Sequence, residues 1–121
     1  MPKRATVEEF VALVEAGALD TAMERFYAED ASMQENQDLP RRGLTALIEG
    51  ERRTMARSRN IKAMCVRPIF IEGDTVAIRW RFAFEFHDGR SIVLDEMTHQ
   101  RWVGEKMREE KFFYDPKQMG R

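Results

Sequence analysis

The sequence contains a single cysteine, Cys65, and only two histidines, His87 and His99. One thiol cannot close an internal disulfide, and no Cys or His pair falls at the spacing of a structural zinc site. No metal is therefore expected, and a reducing compartment, the cytoplasm, is the expected home. An excess of charge of one sign is also missing. Twenty basic side chains stand against twenty-one acidic ones, so there is no broad positive field to hold nucleic acid or an anionic bilayer, and neither is expected as a partner. Long apolar runs are absent as well. Met1-Pro2-Lys3-Arg4 leads straight into a charged amphipathic segment, so neither a secretory signal nor a membrane span is expected. No repeat or linker interrupts the 121 residues, a length that suits one domain. What is present is enough apolar side chain for a real core beneath a heavily charged, mixed-sign surface.

Thr6-Val7-Glu8-Glu9 has the form of a capping box, in which Thr6 accepts from the third helical amide while Glu9 reaches back. Phe10, Leu13 and Val14 then recur at helical spacing, and Gly17 supplies the left-handed residue that commonly closes a helix. Asp20 reads as the cap of a second short helix with Leu19, Met23, Phe26 and Tyr27 on its inner face, giving a helix hairpin over residues 6–27. Residues 31–36 are too few for a helix and precede the turn-forming Gln37-Asp38-Leu39-Pro40, so a short strand is predicted with Met33 and Glu35 on one face. Leu44, Leu47, Ile48 and Met55 mark a third and longest helix over residues 43–59, with Arg52, Arg53, Arg57 and Arg59 toward solvent, balanced by Glu49 and Glu51.

The second half changes period. Four strand-like runs, 61–71, 75–87, 91–103 and 106–114, are separated by Gly73-Asp74, Asp88-Gly89 and Gly104-Glu105, which predicts a four-stranded meander over 61–114. In the second run Ile78, Trp80, Phe82, Phe84 and Phe86 alternate with Arg79, Arg81, Ala83, Glu85 and His87, so one face requires cover by helices. Pro68 has no amide proton and predicts an edge, bulge or bend in the first run. The third run is the unusual one. Glu96, Thr98, Gln100 and Trp102 share a face with Ile92 and Leu94, and polar groups sent toward a core are costly unless something satisfies them. Either this face is the polar end of a pocket, or it is reversed and Val93, Met97 and Val103 point inward. Helices followed by a meander make an α+β domain, ordered α-α-β-α-β-β-β-β, with three N-terminal helices on a strongly curved antiparallel sheet and a conical hollow between them.

That order, with Glu15-Ala16-Gly17-Ala18-Leu19-Asp20, Arg25-Phe26-Tyr27-Ala28-Glu29-Asp30-Ala31, Arg42-Gly43, Gln100-Arg101-Trp102-Val103-Gly104-Glu105-Lys106-Met107 and Phe112-Phe113-Tyr114-Asp115-Pro116, resembles the nuclear-transport-factor-two-like superfamily over nearly the whole chain. The likeness is strongest to its SnoaL-like polyketide cyclases and ketosteroid isomerase-like members. The superfamily hosts isomerases, cyclases, hydrolases, dehydratases and noncatalytic binders, so the resemblance specifies fold more than reaction. Ketosteroid isomerase uses a carboxylate base with a tyrosine and a protonated aspartic acid as donors. The matching positions here are Glu35 for the base, Phe10 for the tyrosine and Thr98 for the aspartic acid, so both strong donors are absent.

What the resemblance implies is a cavity for a small, mainly apolar, carbonyl-containing or cyclic molecule. Glu35 would act as general base or acid, or alternatively be a surface carboxylate paired with Arg41 or Arg42. Thr98, Gln100 and Tyr27 would donate hydrogen bonds, Glu96 and Glu110 would form the polar end, and Trp80, Phe10 and Phe112 the apolar wall. Glu110 is expected inside on a hairpin that pairs Trp102 with Lys106 and sets Glu110 opposite Thr98. Isomerisation, cyclisation or dehydration would use such a site without an organic cofactor. The alternative is a noncatalytic binding or interaction module of the same fold. A homodimer through the outer sheet face is also implied. Cys65, in an apolar run, reads as a buried small hydrophobe, and His87 and His99 as surface residues.

Overall fold

The structure, a computed structural model, describes residues 1–120. Helix α1 (Arg4–Glu15) buries Val7, Phe10, Val11 and Val14. Its C-terminus closes as the sequence indicates. Gly17 takes φ of 81°, its amide donates to the carbonyl of Val14, and the amide of Ala18 donates to that of Leu13. The N-terminus does not. The helix starts at Arg4 behind Lys3 with no side-chain cap, and the Thr6 hydroxyl donates to Glu105, in the turn between the last two long strands. With the helix already under way at Arg4, Thr6 lies inside its first turn instead of at the cap, so no capping box forms. Helix α2 (Leu19–Phe26) likewise begins one residue before Asp20, which lies in its first turn and accepts from Arg52 at 3.2 Å. Because the α1 closure ends at Ala18, the chain re-enters a helix at once.

Tyr27 leaves the helix and opens β1 (Tyr27–Glu35), a longer strand than the predicted 31–36. It pairs in parallel with the last strand, and β2 (Arg41–Arg42), an element the sequence reading lacked, adds antiparallel to its other edge. After α3 (Leu44–Arg57) come β3 (Ser58–Glu72), β4 (Thr75–Phe86), β5 (Ser91–Val103) and β6 (Lys106–Phe113), then a short 3₁₀ turn (Pro116–Met119). The sheet order is β2-β1-β6-β5-β4-β3. The class is the expected α+β, three helices on one face of a curved, mostly antiparallel sheet. Pro68 sits on the edge strand β3, where the register moves between Val66 and Phe70.

The inner face carries the core. Ile78, Trp80, Trp102, Met107 and Val76 are fully buried against α1 and α2, and Trp102 meets Phe10 edge-on with ring centroids 6.1 Å apart. Helical cover stops short of the far end of β4, contrary to expectation. Phe82, Phe84 and Phe86 stay only half-buried, stacked in a row with centroids 5.8 and 6.0 Å apart. The space that Phe82 and Phe84 border is the cavity described below. On the outer face Val93 and Val103 are more than half exposed, and Met97 lies opposite Phe113, both also exposed. No helix among the described residues is long and apolar enough to cross a membrane.

The candidate functional site

The β5 alternation sends Glu96, Thr98, Gln100 and Trp102 inward, each buried. What faces them is set by β6. The β5–β6 hairpin turns on Gly104-Glu105 with Val103 opposite Lys106 and Trp102 opposite Met107, after which Arg101 pairs with Glu109 and Gln100 with Glu110. The expected pairing of Trp102 with Lys106 is therefore not found, and Glu110 lies opposite Gln100 instead of Thr98. Arg108 is the extra residue of a bulge. A regular ladder continued from the turn would point Glu109 inward. The bulge advances the strand by one residue, so Met107 and Glu110 both reach the core.

Glu110 there joins a buried chain of hydrogen bonds. The Trp102 indole donates to Gln100 Oε1 at 3.1 Å, the Gln100 amide donates to Glu110 Oε2 at 2.8 Å, and the Tyr27 hydroxyl donates to Glu110 Oε1. Burial pushes the Glu110 carboxyl up to about 7, against the pull of these two donors. Burial and the Glu110 carboxylate together hold the Tyr27 phenol well above its ordinary value.

Between this chain, the β4 rings and the helices lies a cavity of about 200 Å³. Phe10, Met23, Trp80, Phe82, Phe84 and Phe112 form its apolar wall, and Glu35, Glu51, Glu96 and Glu110 bring four carboxyl groups to it. Glu96 faces Trp80 across the β4–β5 ladder and is only 5% exposed. Burial, and then the charges of Glu110, Glu35 and Glu51, raise its pKa to about 8. Glu51, on α3, is raised by burial to about 6 even with Arg41 nearby.

Glu35 lies at the mouth. Its side chain is 41% exposed and 3.5 Å from Arg41, and it accepts a hydrogen bond from the Tyr114 hydroxyl at 3.2 Å. The Asn36 side chain fixes this corner by accepting from the Tyr114 amide at 3.0 Å. Of the two expectations for Glu35, the contact with Arg41 is the one present, and the carboxyl groups raised by burial are Glu96 and Glu110. Phe10, Tyr27, Trp80, Glu96, Glu110 and Phe112 all border the cavity, but Thr98 and Gln100 do not. Thr98 turns its hydroxyl to the Ile78 carbonyl at 3.4 Å, and Gln100 is used up in holding Glu110. Glu51 was missed because an acid on a helix reads as solvated. Yet Leu47, Glu51 and Met55 are spaced by four, which puts Glu51 on the apolar stripe. Cys65 is buried, with its thiol pushed up by burial, and lies outside this wall.

Three helices on a curled sheet, enclosing a polar-ended cavity, define the nuclear-transport-factor-two-like class. Residues 7–110 match the model of the SnoaL-like domain, and the chain belongs to that family. Among solved structures it is similar to a protein described as a SnoaL-like polyketide cyclase from Mesorhizobium loti (TM-score 0.77, 20% identity, 92% of this chain and 97% of that one). It is also similar to a nuclear-transport-factor-two-like protein of unknown function from Burkholderia pseudomallei (TM-score 0.80, 13% identity, 96% and 92%). A third similar chain has a ketosteroid isomerase-like fold and comes from Catenulispora acidiphila, solved in complex with trimethylamine (TM-score 0.75, 18% identity, 91% and 85%). At these identities the likeness establishes fold alone. Among curated proteins, none is a significant match.

Proposed function

We propose that the protein binds a small, mainly apolar molecule in this cavity and exchanges a proton with it through Glu96, with Glu35 at the mouth as the second acid–base group. The observation that carries this reading is the position of Glu96, a buried carboxyl group on the cavity wall. Burial and neighbouring charge raise its pKa to about 8, a value suited to giving and taking a proton near neutral pH. Glu110 is held by two donors and is better placed to position Tyr27 than to react. Isomerisation, cyclisation and dehydration all need such a group. The trimethylamine complex of the similar Catenulispora protein supports the idea that this fold can hold a small molecule.

Native mass spectrometry of the gently purified protein tests the binding, and solvent deuterium incorporation into the captured molecule in D₂O tests the chemistry. Glu96→Gln is expected to slow incorporation per captured molecule on the order of 10²-fold. Capture without incorporation by the wild type would favour the noncatalytic binding module, a reading that the Arg41 partner of the half-exposed Glu35 also favours. Absence of any captured molecule, together with a cavity indifferent to added ligands, would remove the reading altogether.

The homodimer implied by the resemblance belongs to the same proposal. Its contact would be the outer sheet face around Met97 and Phe113, apolar, exposed and adjacent in register. Met97→Asp is expected to convert a dimer to a monomer in sedimentation velocity. A wild type that is monomeric at high concentration would dispose of the idea.

A further inference from the structure

The cavity wall is unbalanced in charge. Four carboxyl groups border it and Arg41 is the one basic side chain among the described wall residues. Arg41 pairs with Glu35 at the mouth and also acts on Glu51 of α3, which leaves Glu96 from β5 and Glu110 from β6 without a cation. Glu110 has its two donors, but Glu96 has none. No described residue gives Glu96 a hydrogen bond or an ion pair. Every side-chain oxygen and nitrogen that is sealed inside the protein among the described residues does have a partner, so the Glu96 carboxyl opens into the cavity. A group 95% removed from solvent and aimed at a hollow is completed by whatever enters.

The surface beside Glu96 narrows what that is. Trp80 sits directly across the ladder from it, and Phe82 and Phe84 continue the row toward the mouth, with centroid spacings of 5.6 and 5.8 Å. Aromatic faces attract cations through their quadrupole, most strongly when water is excluded. Among the described residues no three acidic, His or Cys side chains are grouped to hold a metal ion. The carboxyl groups are instead distributed around an apolar, ring-lined space of about 200 Å³.

We propose that the cavity is a site for a compact organic cation, a tertiary or quaternary ammonium with small apolar substituents, seated on Trp80 and Phe82 with Glu96 as its counter-ion. This rests on the reading of the cavity as the ligand site and names the chemical class that site takes. An ammonium of this kind presents methyl groups to the rings, spreads its charge over them, and needs no hydrogen-bond donor from the protein. That suits a wall on which four carboxyl groups face the one guanidinium of Arg41 among the described residues. The cation supplies the partner that Glu96 lacks, and to accept it Glu96 must lose its proton. Facing Glu96 are Trp80 from β4, Glu110 from β6 with Tyr27 from β1, Glu51 from α3, and Glu35 with Arg41 at the mouth.

Choline and its uncharged isostere 3,3-dimethylbutan-1-ol form the test, because they share shape and differ in charge. Choline is expected to bind at least tenfold more tightly, with its N-methyl proton resonance moved upfield by the rings. Its affinity is expected to rise with pH and level off above about pH 8 as Glu96 ionises. Glu96→Gln keeps the shape and removes the charge, so it should lower choline affinity at least tenfold and flatten that pH dependence. Trp80→Leu should reduce the upfield shift, leaving only the part due to Phe82. Equal binding of the two probes would overturn the cation assignment and leave the cavity reading standing. Binding of neither at millimolar concentration would overturn the assignment, and captured molecules in native mass spectra would then decide the cavity reading separately.

Discussion

Glu96→Gln should make the folded protein more stable at pH 8 to 9 and leave it nearly unchanged at pH 5. In the native state the Glu96 carboxyl holds its proton up to about pH 8, whereas an ordinary glutamate releases it near 4.5. Between those values the folded state binds more protons than the unfolded state, so stability falls as pH rises. The stabilisation associated with the bound proton is fully present below about pH 4.5 and is lost as pH climbs through 8. Raising a carboxyl from 4.5 to about 8 corresponds to about 5 kcal/mol, a large part of the roughly 5 to 15 kcal/mol that stabilises a typical domain. Glu110, at about 7, and Glu51, at about 6, slope in the same direction. Urea midpoints measured from pH 5 to pH 9 should therefore fall steadily for the wild type and much less for the variant. Parallel curves for the two proteins would show that Glu96 is not the group being ionised. The same slope means that a cation entering the cavity at alkaline pH should restore stability, because it binds only the folded, deprotonated form.

A second large effect is expected from Glu110→Leu. Glutamate at this position accepts from the Tyr27 hydroxyl and from Gln100, both fully or almost fully buried, and Gln100 in turn accepts from the Trp102 indole. Leucine leaves two buried donors with no acceptor, at about 1 to 3 kcal/mol each. Relief of the buried carboxyl offsets part of this above pH 7, so the loss should be largest near pH 5 and shrink as pH rises, the same direction relative to wild type as for Glu96→Gln but starting from a deficit. Glu110→Gln retains an acceptor and should be milder. Thermal melts of the two variants at pH 5 and 8 check the ordering. If leucine were tolerated as well as glutamine at pH 5, the hydrogen-bond chain would be contributing nothing to stability. Two carboxyl groups on one wall thus differ in consequence because one is fully partnered and the other is open to the cavity.

Much of this arrangement is legible in the residues. The alternation of Ile78, Trp80, Phe82 and Phe84 on β4 identifies a face that must meet something apolar, and Glu96, Thr98, Gln100 and Trp102 on β5 identify the polar interruption. These are period-two signals within single strands, and burial follows them. The sequence reading was less successful where one element acts on another. Thr6 does not cap α1 because the helix is already under way at Arg4, and its hydroxyl donates instead to Glu105, 99 positions away. Glu35 reads either as a base inside the hollow or as a surface carboxylate paired with Arg41 or Arg42, and the Arg41 contact depends on how β2 folds back along β1. Glu51 was readable in principle from its spacing between Leu47 and Met55, but nothing local says that the stripe continues over a cavity instead of solvent.

By itself the sequence determined the order of the helices and of the long strands, the inward faces of β4 and β5, and the near balance of charge. Those properties are carried by residues within a few positions of one another, or by simple sums over the chain. The tertiary structure alone decided that Arg108 would be extruded, so that Glu110 instead of Glu109 faces Gln100. It alone decided that the helices would stop short of Phe82 and Phe84, leaving a space. It also brought four distant carboxyl groups to one wall with a single arginine. Register, cover and proton affinity are properties of pairs of elements in contact, since desolvation and Coulomb energy depend on distances that no segment of the chain possesses until it is folded.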